Sequence, residues 1–272
     1  MATIAVGQMQ VRPGDADANL ATMLELIEEG ARQDADLVLL PEMALTGLAD
    51  DIAAVAQPIP GPAAERLGGA ARRAGAWVAA GMPEHNPEGR PFNAAVVLSP
   101  EGEVAAVYRK VFLYLQEAEG FAPGREACLL DLGLCRAGVM VCYDYIFPEY
   151  VRRLVLGGAQ LILHPTAWVD TEVCRQWHYP ATEAYRAQCM VRALENGVFL
   201  ASANVSGPYD AGGHLEGVGR SAIIAPWGEV LAEVEGGEGV AVAEVQFERA
   251  QGWAEEAAPY MRDFRQVDIP EL

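Results

Sequence analysis

The sequence predicts an α/β fold with mixed sheets, and three observations carry that expectation. Apolar runs of strand length alternate with segments of helical period and then give way to hairpins. The order of these segments also repeats once along the chain. Leu37–Pro41 corresponds to Leu161–Pro165 at an offset of 124, Ala76–Ala80 to Val198–Ser202 at 122, and Pro100–Val104 to Pro226–Val230 at 126. Finally, the strands of both halves are apolar enough to need a covered face. Two sheets packed together, with helices outside, would provide one.

Each element has a local reason. Met1–Val6 has no basic run before its apolar residues and reads as a first strand rather than a signal peptide. Leu20, Met23, Leu24, Ile27 and Ala31 have helical spacing, with Asp15 or Asp17 as candidate caps. Asp34 to Glu42 is an apolar run bounded by polar residues and Pro41, the pattern of a buried strand. A helix over Ala63–Ala74 leads into a strand at Ala76–Gly81. Phe92–Leu98 and Val104–Lys110 then flank Ser99–Glu103 as a hairpin. Ala137–Val141 is a short strand that stops at Cys142-Tyr143-Asp144, and Phe147-Pro148-Glu149 opens a helical pattern through Leu156. No Pro/Ser-rich linker separates the halves, so residues 1–250 read as a single domain. Residues 251–272 read as a C-terminal arm. Its Trp253, Tyr260, Met261 and Phe264 point to packing on the body or on a partner subunit.

Composition removes several classes of function. The 272 residues are 51% hydrophobic, enough for a large core, yet no eighteen-residue apolar stretch predicts a membrane span. A net charge of −19 lacks the basic stripe that nucleic acid or an anionic membrane surface requires. The five cysteines are odd in number and show no C-x-x-C spacing, which argues against a disulfide framework or a zinc site and fits a reducing cytoplasm. His85, His164, His178 and His214 form no H-E-x-x-H pattern, and the loop with Gly212, Gly213, Gly217 and Gly219 has no phosphate-binding continuation.

Three residues stand out chemically. Cys142 lies at a strand-to-helix turn, where a thiol is held at the mouth of a sheet beside exposed backbone N–H groups. The competing reading is a small buried cysteine, the commoner fate of this residue. Glu42 follows the buried run Leu39-Leu40-Pro41, where a carboxylate is costly unless it is paired or at work. Lys110 ends the strand Val104–Arg109. It is the only lysine in a chain with eighteen arginines, and its compact ammonium offers what a guanidinium does not. If the three strand ends converge, the ammonium favours thiolate over thiol. The carboxylate would then take the thiol proton and return it to leaving ammonia. The ammonium and the Tyr143 N–H would stabilise the tetrahedral oxyanion. A buried Glu–Lys ion pair without chemistry is the alternative.

These residues resemble the nitrilase superfamily of carbon–nitrogen hydrolases. The likeness covers nearly the whole chain and rests on Leu40-Pro41-Glu42, Tyr108-Arg109-Lys110 and Val141-Cys142-Tyr143-Asp144 with Phe147-Pro148-Glu149. Pro165-Thr166-Ala167-Trp168, Arg192–Gly197 and Gly219-Arg220-Ser221 support it. The resemblance implies a four-layer α-β-β-α sandwich of two pseudo-repeated halves and a triad of Glu42, Lys110 and Cys142. It also implies no metal or organic cofactor, and a homodimer or higher homo-oligomer paired through the helical layer that bears the nucleophile. A second glutamate near the lysine is expected at Glu117 or Glu119, with Glu117 fitting the Glu-x-x-x-Phe-x-Pro-Gly spacing.

Departures from the family pattern narrow the substrate. Cys142-Tyr143-Asp144 looks like amidases and carbamoyl hydrolases rather than nitrilases proper, which carry Cys-Trp-Glu. Ile146 stands where members acting on carboxylate-bearing substrates have Arg, and Phe112 where the family often has His. Tyr143 and Trp168 are the expected substrate contacts, and Tyr114 and Phe147 are further candidates for an apolar pocket. The expected reaction is hydrolysis of small aliphatic amides through a cysteine thioester, with an ω-amidase or N-carbamoyl hydrolase as the alternative. A Cys-His hydrolase using His164 or His178 and a non-enzymatic interaction module are the competing classes.

Overall fold

The computed structural model describes residues 1–258 apart from 116, 211, 213 and 257, so Tyr260, Met261 and Phe264 lie outside the described residues. The first half runs β1 (Ala2–Gln8), α1 (Ala16–Arg32), β2 (Leu37–Leu39), α2 (Ile52–Val55), α3 (Pro62–Ala74), β3 (Trp77–Glu84), β4 (Phe92–Leu98), β5 (Val104–Arg109) and α4 (Glu117–Gly120). The second opens with β6 (Cys128–Asp131), β7 (Arg136–Val139), a 3-10 turn (Cys142–Ile146), α5 (Pro148–Leu156), β8 (Leu161–Pro165), β9 (Val169–Asp170) and α6 (Glu172–Gln176). It continues with α7 (Ala181–Asn196), β10 (Phe199–Ala203), β11 (Ser206–Pro208), β12 (Glu216–Val218), β13 (Ala222–Ile224), β14 (Val230–Glu233), β15 (Gly239–Val245) and α8 (Phe247–Glu256).

Two six-stranded sheets share one plan. Their orders are β15-β1-β2-β3-β4-β5 and β14-β13-β10-β8-β7-β6. In each, three neighbouring strands are parallel: β1-β2-β3 in one and β7-β8-β10 in the other. An antiparallel hairpin follows on one side, β4-β5 or β13-β14, and an antiparallel strand closes the other side, β15 or β6. The sequence repeat is therefore a structural repeat. A small sheet of β11, β12 and β9 lies beside it.

Strand alternation builds the layers. Leu37 and Leu39 of β2 pack with Val139, Leu161 and Leu163 between the two sheets. Val38, next along the same strand, packs with Leu40 against Met23, Ile27, Leu67 and Ala71 of α1 and α3. On the second sheet, Ile162 and Leu200 pack on Val151 and Leu154 of α5 and Tyr185 and Cys189 of α7. The result is a helix–sheet–sheet–helix sandwich. Asp15 caps α1 by accepting from Ala18 N at 3.1 Å, while Asp17 sits in the first turn, where a negative charge favours the helix dipole. In α8, Phe247 meets Phe199 edge-on and Trp253 lies 6.3 Å from Trp227, ring to ring. Among the described residues, no helix is long and apolar enough to cross a membrane.

Candidate active site

The ends of β2, β5, β7 and β8 meet at one point. Glu42, Lys110 and Cys142 are all buried there. Lys110 Nζ donates to Glu42 Oε1 at 2.8 Å and to Glu117 Oε2 and Oε1 at 2.7 and 2.9 Å. Asn93 Nδ2 bridges the same two carboxylates, at 2.7 Å from Glu42 and 3.0 Å from Glu117. The backbone N–H of Ala167 donates to Glu42 Oε2 at 2.8 Å, and that of Tyr114 to Glu117 Oε2 at 2.6 Å. Of the two candidate glutamates, the structure places Glu117 on the ammonium. Glu119 contributes its backbone carbonyl to Arg90 instead.

Cys142 lies beside Glu42, whose carboxyl it helps to lower, and Thr166 and Lys110 both act to lower the thiol. Burial is the largest influence on every group here. It would raise Glu42, but the charge of Lys110 and hydrogen bonds from Lys110, Cys142 and Asn93 outweigh it and leave this carboxyl below its ordinary range. Burial would lower Lys110, but Glu42, Cys142 and Glu117 hold it well above the usual lysine value. Glu117 is raised by burial and by Glu42, against the pull of Lys110. For Cys142, burial together with Glu42 and Glu117 pushes the thiol up, and Lys110 and Thr166 do not reverse the direction. The ammonium does favour the thiolate, as expected, but burial and the two carboxylates outweigh it and favour the thiol.

Cys142 opens the 3-10 turn with φ of 44°, a left-handed conformation that non-glycine residues rarely adopt. Two buried groups hold it. Asp144 Oδ2 accepts from Val141 N at 2.8 Å and from the Tyr108 hydroxyl at 2.7 Å, and its Oδ1 accepts from Phe112 N at 2.9 Å. It thereby ties the residue before the cysteine to residues on either side of the lysine. Burial pushes Asp144 up to about 6, against these donors. His164 Nε2 lies 3.1 Å from the Cys142 carbonyl, which can only accept, so Nε2 carries the proton. Burial lowers His164 to about 4. Its Nδ1 therefore accepts from Ser202 Oγ at 2.9 Å, and Tyr185 donates to that oxygen at 2.7 Å. Both ring nitrogens are occupied, one of them by the nucleophile's own backbone, and His178 is exposed. The arrangement gives no support to a Cys-His pair.

Gly81 of β3 permits the closeness. A Cβ there would lie 2.5 Å from Glu42 Cα and 2.6 Å from Met43 N. Sequence reading missed Gly81, Asn93, Thr166 and the supporting roles of Asp144 and His164. Asn93 alone left a usable trace, as a polar residue inside the apolar run Phe92–Leu98.

A cavity of about 340 Å³ leads outward from Cys142. Half-buried Tyr143, Ala167 and Trp168 line it together with Cys174 and the exposed Tyr114, Val173, Trp177 and Tyr179, and none of its described lining residues is charged. Two larger surface clefts, of about 620 and 690 Å³, contain none of the converging residues. Phe147 is not part of this wall; it stacks on Phe112 at 3.9 Å and meets Tyr143 edge-on. Ile146 packs in the helical layer with the α5 and α7 core, so its identity says little about charge in the cavity.

With this geometry in view, the comparisons are specific. The family model for carbon–nitrogen hydrolases matches residues 3–255. A nitrilase of Pyrococcus abyssi is 35% identical over 90% of this chain and 90% of its own. An omega-amidase of Xenopus tropicalis is 30% identical over 90% of this chain and 88% of its own. The fold is similar to that of a variant amidase from Nesterenkonia sp. AN1 in complex with butyramide. Its TM-score is 0.77 at 30% identity, covering 97% of each chain. Another form of that amidase carries acrylamide added at its active-site cysteine.

Proposed function

The chain belongs to the carbon–nitrogen hydrolase family and is an amidase of the nitrilase superfamily, and on that premise we propose that it hydrolyses small, uncharged aliphatic amides through a thioester on Cys142. The observation that carries this reading is the buried Cys142 thiol beside a Glu42 carboxylate that is paired with Lys110, opening on a cavity whose described lining is uncharged.

The substrate carbonyl carbon sits against Cys142 Sγ. As sulfur attacks, its proton passes to Glu42, which avoids a free buried thiolate. The C=O electron pair moves to oxygen, and the oxyanion accepts hydrogen bonds from Lys110 Nζ and the Tyr143 N–H. That N–H stands at the start of a helical turn, where backbone donors lack partners within the helix. Collapse breaks the C–N bond, and Glu42 gives its proton to the leaving nitrogen, releasing ammonia. Water then attacks the thioester with Glu42 again as base, which yields the carboxylic acid and restores the thiol. Glu117 and Asn93 keep Lys110 and Glu42 in register, and Tyr143 and Trp168 line the acyl side.

An omega-amidase activity is the second reading, supported by the Xenopus relative. The uncharged lining disfavours it, because a second carboxylate would enter with no cation to meet it. Ammonia release from propionamide, butyramide, glutaramate and an N-carbamoyl amino acid tests the proposal. Propionamide or butyramide should give the highest kcat/KM, and Cys142→Ala should fold and lose essentially all turnover. A preference for glutaramate would move the assignment to an omega-amidase, and an active alanine variant would remove Cys142 from the reaction.

A further inference from the structure

The cavity at Cys142 is larger than a three- or four-carbon amide requires. Its volume, about 340 Å³, lies within the range of roughly 300–1,000 Å³ typical of sites for much larger ligands. The outer wall is built by Tyr114 on one side and by Val173, Cys174, Trp177 and Tyr179 on the other. Val173 and Trp177 stand one turn apart around α6 and are 62% and 78% exposed. Tyr114 and Tyr179 are exposed as well. A chain of net charge −19 thus carries a cluster of exposed apolar side chains at the mouth of its reactive cavity. Exposed apolar clusters of this kind mark binding surfaces. Both rim loops also hold a non-glycine residue in the left-handed region, Leu115 at φ 44° and His178 at φ 51°, a feature common at ligand clamps.

We propose that Tyr114, Val173, Trp177 and Tyr179 form a distal acyl subsite, so that the preferred substrates are primary amides with an apolar acyl chain longer than four carbons. The inference rests on the amidase reading above and specifies its substrate class. The occupant follows from continuity. A substrate whose carbonyl carbon meets Cys142, with its oxygen towards Lys110 and its nitrogen towards Glu42, has its acyl chain directed along the apolar walls to α6. Each methylene buried there is worth about fourfold in binding. A terminal carboxylate would lose that gain, because no cation stands in the described lining to offset its desolvation.

The experiment is steady-state ammonia release for propionamide, butyramide, pentanamide, hexanamide and glutaramate, with wild type, Trp177→Ser and Val173→Ser. The subsite requires kcat/KM to rise about fourfold per methylene from propionamide to hexanamide. It also requires pentanamide to exceed glutaramate, which has the same carbon count. Each variant should lower the hexanamide-to-propionamide ratio at least about threefold, and both positions are exposed enough that folding does not depend on them. Turnover of propionamide with a flat or falling series would overturn the subsite and leave the amidase reading intact. So would a rising series whose ratio both variants leave unchanged. A flat series together with concentration-dependent sedimentation that Trp177→Ser abolishes would assign the rim to a second copy of the chain. Absence of turnover with every amide would overturn both readings.

Discussion

Lys110 Nζ reaches three carboxylate oxygens on two glutamates at 2.7–2.9 Å, with almost no access to water. That geometry suits a compact donor. A guanidinium is larger and planar, and would push into the space of the substrate carbonyl. Lys110→Arg is expected to fold and to lose at least about 10²-fold in kcat/KM, the scale of one lost oxyanion donor. Ammonia release beside the unfolding midpoint checks it; near-normal turnover would show that charge alone suffices. Labelling with iodoacetamide needs peptide mapping, because Cys174 lines the same cavity. A second test concerns Asp144, whose pKa in the fold is raised to about 6 by burial. A carboxyl raised on folding contributes stability that is full below its unfolded pKa and lost as pH rises through the folded one. From pH 7 to pH 5, wild type should therefore gain about 1 kcal/mol relative to Asp144→Asn. Urea midpoints at the two pH values give the sign, and a relative loss on acidification would contradict it.

At the scale of elements, the site is a set of strand ends brought together by two tight backbone features. The 3-10 turn presents Cys142 in a left-handed conformation, a strain of about 1–3 kcal/mol borne by Asp144 and His164 from below. The other is the crossing of β3 behind Glu42, where Gly81 leaves no room for a side chain. Gly81→Ala is expected to cost about 1–3 kcal/mol through overpacking and to lower kcat/KM by displacing Glu42. Gly69, inside α3, is the contrast: a Cβ there meets nothing closer than Arg73 at 3.6 Å. Gly69→Ala should raise stability by up to about 1 kcal/mol through helix propensity, with activity unchanged. Equal behaviour of the two variants would deny Gly81 its special place.

Across the whole molecule, a net charge of −19 opposes compaction. Bidentate Arg109–Glu84 and the Arg186–Glu233–Arg220 cluster offset some of it, but such partly exposed pairs contribute little each. Self-repulsion falls as the Debye length shrinks from about 10 Å at 0.1 M salt to about 3 Å at 1 M. The unfolding temperature should accordingly rise over that range of sodium chloride. A falling Tm would show that the ion pairs outweigh the repulsion.

The sequence by itself determined the order of the main elements, the duplication and the choice of Glu42, Lys110 and Cys142 as candidates, three residues that the fold brings together. All are local signals: the apolar period of a strand or helix, the offset between two similar stretches, and a costly polar residue where an apolar run stops. Asp34–Glu42 and Phe92–Lys110 were legible for that reason. Only the tertiary structure decided between Glu117 and Glu119, since both fit a family spacing and the choice lies in which carboxylate meets Lys110 and the Tyr114 N–H. The protonation of Cys142 was also beyond sequence. Its direction depends on burial and on two carboxylates weighed against one ammonium, and none of those distances is written in a neighbouring residue. Asp144 could be quoted as part of a motif, yet its three donors come from β5, from the segment after Lys110 and from Val141 just before the turn. The Ala167 N–H that completes Glu42 lies 125 positions along the chain. Periodicity reports what a residue does for its own strand or helix. Electrostatics and hydrogen bonding at the site depend on which strand ends the sheets bring side by side.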